Sequence, residues 1–168
     1  MLEGQGLEYM IIGGFALPSY GPIRTTLDLD VAVRLDDAQA FDSFVRAAER
    51  ARFSPGIVSF ANPVATFTDG RTGLEVEFWL RPDGVAWDQE TLGRRRRVKT
   101  GSAEPWLISP EDFIVSKLSR PDRGVQDEMD VRGVLTRLAG SIDREYLERR
   151  ARDADVLGLL LAIGAPRG

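Results

Sequence analysis

The sequence predicts an α/β (α+β) fold: a small mixed β-sheet flanked by helices, with a helical C-terminal part. Three observations predict it. Short segments that alternate between apolar and charged residues, such as Leu27–Val33 and Leu74–Leu80, fall before residue 109. Helix-start signals follow, beginning with Ser109-Pro110-Glu111-Asp112. No internal repeat, low-complexity tract or linker divides the 168 residues, a length that suits one domain. The expectation is therefore a single domain over 1–168, strand-rich over about 7–108 and helical over about 109–165.

The elements read in order as follows. Tyr9–Ile12 is a short buried strand stopped by Gly13-Gly14, and Phe15–Tyr20 is a brief helix closed by Gly21-Pro22. In Leu27–Val33 the residues Leu27, Leu29, Val31 and Val33 share one face, with Asp28 and Asp30 on the other. Asp36 with Gln39 has the spacing of a capping box. Phe41, Phe44, Val45 and Ala48 then recur at helical spacing, giving an amphipathic helix over Asp37–Arg52. Val64–Thr68 and Leu74–Leu80 are strands flanking the hairpin signal Asp69-Gly70. In the second of them Glu75 and Glu77 face away from Leu74, Val76, Phe78 and Leu80. Trp106–Ile108 is a further short strand. Ser109 caps a helix that runs to about Leu118, with Pro110 at its first position. Val131, Val134, Leu135 and Leu138 mark a second helix, and Tyr146–Ala151 lies in a third.

Composition narrows the chemistry. With no cysteine and no histidine, disulfides, zinc sites, thiol nucleophiles and histidine bases are all excluded. The remaining metal ligands are carboxylates, carbonyls and water, which suit Mg²⁺, Mn²⁺ or Ca²⁺. No apolar run reaches the ~18 residues of a membrane span, and the N-terminus lacks the regions of a signal peptide, so the expected location is the cytoplasm, away from membrane. A net charge of −4 argues against a bulk nucleic-acid binder. Arg94–Arg97 with Lys99 nevertheless form a local basic block, which reads either as a solvated face paired with acidic residues or as a patch for RNA.

The chemistry concentrates in Gly13-Gly14, thirteen further residues, and then Asp28-Leu29-Asp30. Carboxylates two apart on a strand share a face at about 7 Å backbone spacing. Their side chains can converge on a pair of cations ~3.5–4 Å apart, the arrangement used for in-line displacement at phosphorus. The glycines have no Cβ to obstruct a triphosphate, and a helix that follows them turns its free N–H groups toward that anion. Glu77, from mid-strand, supplies a third carboxylate. Glu75 shares its face and is the alternative.

The pattern Gly13-Gly14, Asp28-Leu29-Asp30 and Val76-Glu77-Phe78 resembles the signature of the nucleotidyltransferase superfamily, which has a polymerase-beta-like fold. The longer run resembles more narrowly the bacterial AbiEii-type toxins and their minimal nucleotidyltransferase relatives. It comprises Gly13-Gly14-Phe15-Ala16, Tyr20-Gly21, Arg24, Thr26 and Asp28-Leu29-Asp30, then Ser109–Asp112, Lys117-Leu118, Arg123, Asp127, Asp130, Asp143 and Tyr146-Leu147.

The resemblance implies that Asp28, Asp30 and Glu77 bind Mg²⁺ (or Mn²⁺) and carry catalysis. It places Gly13, Gly14, Arg24, Thr26, Lys117, Asp127 and Asp130 on the nucleotide or acceptor side. The implied activity moves a nucleoside monophosphate from NTP to an acceptor, a tRNA end or a small molecule, in a protein that pairs with an antitoxin. A catalytically silent NTP-binding or antitoxin-like partner protein, or an antibiotic-modifying enzyme, are the alternatives. Two departures stand out: the third carboxylate is Glu where Asp is common, and the helix expected before the first strand is cut down to Met1–Leu7. Lys117 also reads as a lysine at the core edge, alongside Phe113, Ile114 and Leu118. Asp127 and Asp130 read equally as a solvated helix face.

Overall fold

A computed structural model describes residues 1–21, 26 and 28–164. Seven strands form one mixed sheet: β1 (Tyr9–Ile11), β2 (Asp28–Val33), β3 (Phe53–Pro55), β4 (Val64–Asp69), β5 (Glu75–Trp79), β6 (Arg96–Arg97) and β7 (Trp106–Leu107). Their spatial order is β3-β4-β5-β2-β1-β7-β6. β2 runs antiparallel to β1 but parallel to β5, with Asp30 in register beside Glu77 and Asp28 beside Glu75. β4 closes on β5 as an antiparallel hairpin. That hairpin is where Asp69-Gly70 predicts one, but the turn is longer than two residues. The Asp69 side chain accepts from the Arg71 backbone and the Thr72 hydroxyl, and Gly73 takes the left-handed conformation (φ +71°) that lets Leu74 return.

The pleat gives the sheet two different faces. On the back face Val31, Val33, Phe67, Val76 and Phe78 meet the apolar stripe of α2 (Ala38–Arg50). Phe44 lies at its centre, 4.9 Å from the Phe78 ring and 5.8 Å from Phe67, both edge-on. The cap of α2 departs from the sequence reading. Asp37, not Asp36, is the N-cap, accepting from the Ala40 backbone at 2.7 Å, while Asp36 pairs with Arg34. Two consecutive aspartates make the capping position ambiguous by one residue.

The front face carries Met10, Ile12 and Ala32, buried under the C-terminal helices. These are α4 (Pro110–Ser119), α5 (Val125–Arg137), α6 (Arg144–Asp153) and α7 (Leu157–Gly164). α1 (Gly13–Ala16) is a single turn beginning at the glycines rather than at Phe15, continued by a 3₁₀ turn through Ser19. α3 (Gln89–Arg94) joins β5 to β6. Ser109 caps α4 as the sequence predicts, accepting from the Asp112 backbone and donating to its carboxylate at 2.7 Å. A buried polar chain binds these helices together: Tyr146 donates to Asp112 at 2.8 Å, and Arg150 reaches Thr91 and Asp88. Among the described residues no helix is long and apolar enough to cross a membrane.

Candidate active site

Asp28 and Asp30 project from the front face of β2 at the end nearest the glycines, because β-strand alternation commits Leu29 and Val31 to the back. β5 has the same phase, so Glu75, Glu77 and Trp79 stand on that front face too. The parallel register sets Glu77 directly beside Asp30. Glu77 is half-buried, whereas Glu75 and Asp28 are exposed. Burial pushes the Glu77 carboxyl above its ordinary value, and the Asp30 carboxylate, which is close enough to share a hydrogen bond, pushes it further; Asp28 adds to the effect. Among the described residues no three carboxylates are gathered tightly enough to grip an ion as they stand.

The Trp79 indole donates to Asp30 Oδ1 at 3.2 Å and fixes the other side of that carboxylate. Its part was missed at the sequence level. The signal was present, since the alternation that places Glu75 and Glu77 on the front places Trp79 there as well.

The glycine turn presses against the same carboxylate. Gly13 has φ +61°, and a Cβ built there would come within 2.6 Å of Asp30 Cγ. A Cβ on Gly14 would lie 2.8 Å from both Cβ and Oγ1 of Thr26. Gly13 therefore requires glycine for conformation and for space, and Gly14 for space alone. They bring the backbone of the turn close against the Asp30 carboxylate. Thr26 is thus brought to the site, packed over Gly14. Arg24 lies outside the described residues.

A cleft opens between β1, the end of β5 and α4. Gly13, Asp30, Trp79, Asp83, Lys117 and Arg120 line it over a floor of Ile12, Ile108 and Phe113. Lys117 reaches it from α4 as a buried ion-paired residue, which corrects the reading of a lysine snorkelling at the core edge. Its ammonium is 2.8 Å from Asp127 and 3.7 Å from Asp130. Both aspartates are buried, so they do not form a solvated face. Burial works against ionisation of Asp127, but hydrogen bonds from Lys117 and the Gly124 backbone outweigh it and hold its carboxyl below the ordinary value. Arg120, at the C-terminal end of α4, was not singled out from the sequence.

The basic block is structural. Arg94 pairs with Asp143 at 2.8 Å and lies over the Tyr146 ring, 3.8 Å from its centroid. Arg95 donates to the Tyr9 carbonyl at 2.8 Å, Arg96 lies over Tyr20, and Arg97 pairs with Glu3 at 2.6 Å.

The fold has counterparts among known proteins. Solved structures with the same fold include the lincosamide antibiotic adenylyltransferase LnuA bound to lincomycin. It is 13% identical with a TM-score of 0.53, over 79% of this chain and 89% of that one. The antibiotic-resistance factor ANT(2″)-Ia in solution is 13% identical with a TM-score of 0.55, over 96% and 89%. The complex of ANT(2″)-Ia with adenylyl-2″-tobramycin is 14% identical with a TM-score of 0.56, over 92% and 90%. No curated protein matches the chain. The family model described as a nucleotidyl transferase of unknown function (DUF2204) matches residues 1–154. The chain belongs to that nucleotidyl transferase family.

Proposed function

We propose that this protein moves a nucleoside monophosphate from an Mg²⁺-bound NTP to an acceptor hydroxyl, releasing pyrophosphate. The observation that carries the reading is the pairing of Asp30 with Glu77 on adjacent parallel strands, with Asp28 two residues away and the Gly13 turn packed against Asp30. Carboxylate oxygens alone make a hard donor set, which fits Mg²⁺ or Mn²⁺. Burial is the main cause of the raised Glu77 pKa, and the Asp30 and Asp28 charges that add to it are what a divalent cation would offset. Asp28, Asp30 and Glu77 would hold the metal. When bound, it lowers the acceptor hydroxyl's pKa and stabilises charge on the leaving phosphates. Trp79 keeps the Asp30 carboxylate from rotating out of place. The Gly13-Gly14 turn leaves room for phosphate oxygens to approach the backbone. Lys117, with Asp127 and Asp130, forms the wall that orients the nucleotide side.

The acceptor we favour is a small hydroxylated molecule, as for the antibiotic adenylyltransferases that share the fold. A tRNA acceptor, the AbiEii-type toxin role and an antitoxin partner form a second reading; the ion pairs and ring contacts of Arg94–Arg97 weigh against it. The activity belongs to a single cytoplasmic domain in either case. The test is pyrophosphate release from each NTP with and without Mg²⁺, with aminoglycosides, lincosamides and bulk tRNA as acceptors. The expected result is metal-dependent release that rises with one acceptor. Metal-dependent NTP binding without release under any condition would instead leave a silent binding protein.

A further inference from the structure

We propose that Arg120, rather than Lys117, is the side chain that grips the polyphosphate of the bound nucleotide. The inference rests on the nucleotidyl-transfer reading above. Of the described residues lining the cleft, Lys117 and Arg120 are the two cations. They differ in what already holds them. Lys117 is buried between Asp127 and Asp130, two carboxylates for one ammonium. Its charge is offset before any ligand arrives, and drawing it toward a phosphate would weaken its ion pairs with both buried aspartates.

Arg120 is placed differently. Its Nε and Nη2 form a two-pronged pair with Asp122 at 3.1 and 3.0 Å, and its Nη1 lies 3.8 Å from Asp127. The Asp122 side chain is 73% exposed and that of Arg120 35% exposed. An exposed pair of this kind contributes little to stability, and Asp122 returns to water when it is displaced. A phosphate can therefore take over the fork that Asp122 occupies, at little cost. The planar guanidinium also matches two oxygens of a phosphate in a way an ammonium cannot.

Position agrees with this role. Arg120 lines the same cleft as Gly13 and Asp30. The Asp122 hydrogen bonds are the main reason its pKa is raised, and Asp127 and Asp30 contribute across the cleft. An Mg²⁺–triphosphate seated on the carboxylates would still carry net negative charge beside Asp30. Arg120 is the cation able to turn toward it without unsettling the core.

The test is calorimetric titration with the four α,β-methylene nucleoside triphosphates and the four monophosphates, in Mg²⁺, for wild type, Arg120→Ala and Arg120→Lys. Melting temperatures are measured alongside. Loss of a charged, two-pronged hydrogen bond should weaken the triphosphate analogues by about tenfold or more in Arg120→Ala, with a smaller loss in Arg120→Lys. Monophosphate binding and melting temperature should stay near wild type. Should the alanine variant unfold, Arg120→Gln is read by the same criteria. An equal loss for monophosphates and triphosphates, or no loss for either, would overturn the assignment while leaving the wider function standing. A wild-type protein that binds no triphosphate analogue in Mg²⁺ would overturn both.

Discussion

Glu75 and Glu77 stand on one strand, on one face, two residues apart, yet their surroundings assign them different work. Glu77 is half-buried in register with Asp30, and Glu75 is exposed beside Asp28, close to the hairpin turn. Glu77→Gln should therefore abolish nucleotide transfer while Glu75→Gln retains most of it, measured as pyrophosphate release; the reverse order would transfer the role to Glu75. The Glu77 proton gives a second expectation. Its pKa in the fold is raised above the ordinary 4.5, so the folded chain holds that proton more tightly than the unfolded chain does. The associated stability is complete below the ordinary value and is lost as pH rises through the raised one. Without divalent metal, the melting temperature of Glu77→Gln should thus gain on wild type as pH rises across that window. A difference that stays flat with pH would contradict the shift.

At the level of elements, what was legible in the sequence follows how each one is buried. β2 and β5 each have one core face, which forces alternation, and their alternation placed all the front-face carboxylates correctly. α2 declared itself through Phe41 and Phe44. α3 and β6 were missed because they are short and polar, β3 because it is a short edge strand. α7 is apolar nearly all round and fell only within the broad helical stretch expected over about 109–165. The glycines were read as a stop before a helix from Phe15, whereas the helical turn begins at Gly13 itself. A one-turn α1 has little macrodipole, so the site depends on the room at Gly13 and Gly14 more than on a helix end. Lys117 could not be settled from α4 alone, because its partners come from α5. Lys117→Met should leave Asp127 and Asp130 buried without their ammonium, at a cost of about 3–5 kcal/mol in urea unfolding. A loss below ~1 kcal/mol would show the pair to be dispensable for the fold.

Across the whole molecule the sheet divides the labour: α2 and the aromatic cluster cover part of the back, while the C-terminal helices cover only part of the front and leave the carboxylate row open. Arg94, at the end of α3, is fastened to the cap of α6, while Arg95 and Arg97 tie the chain that follows to β1 and the N-terminal segment. Replacing Arg94 to Arg97 with glutamine should lower the melting temperature and leave the salt dependence of any RNA binding unchanged; a slope flattened by roughly one unit per lost phosphate contact would restore the RNA reading. The central claim is that the paired strands and the glycine turn form one metal–nucleotide site. Its most direct test is a crystal soaked with Mn²⁺ and a non-hydrolysable NTP analogue, read by anomalous scattering. The expected result is manganese held by Asp28, Asp30 and Glu77, with the phosphates over Gly13-Gly14. Manganese held through Glu75 with Glu77 turned away, or phosphates bound elsewhere, would contradict it.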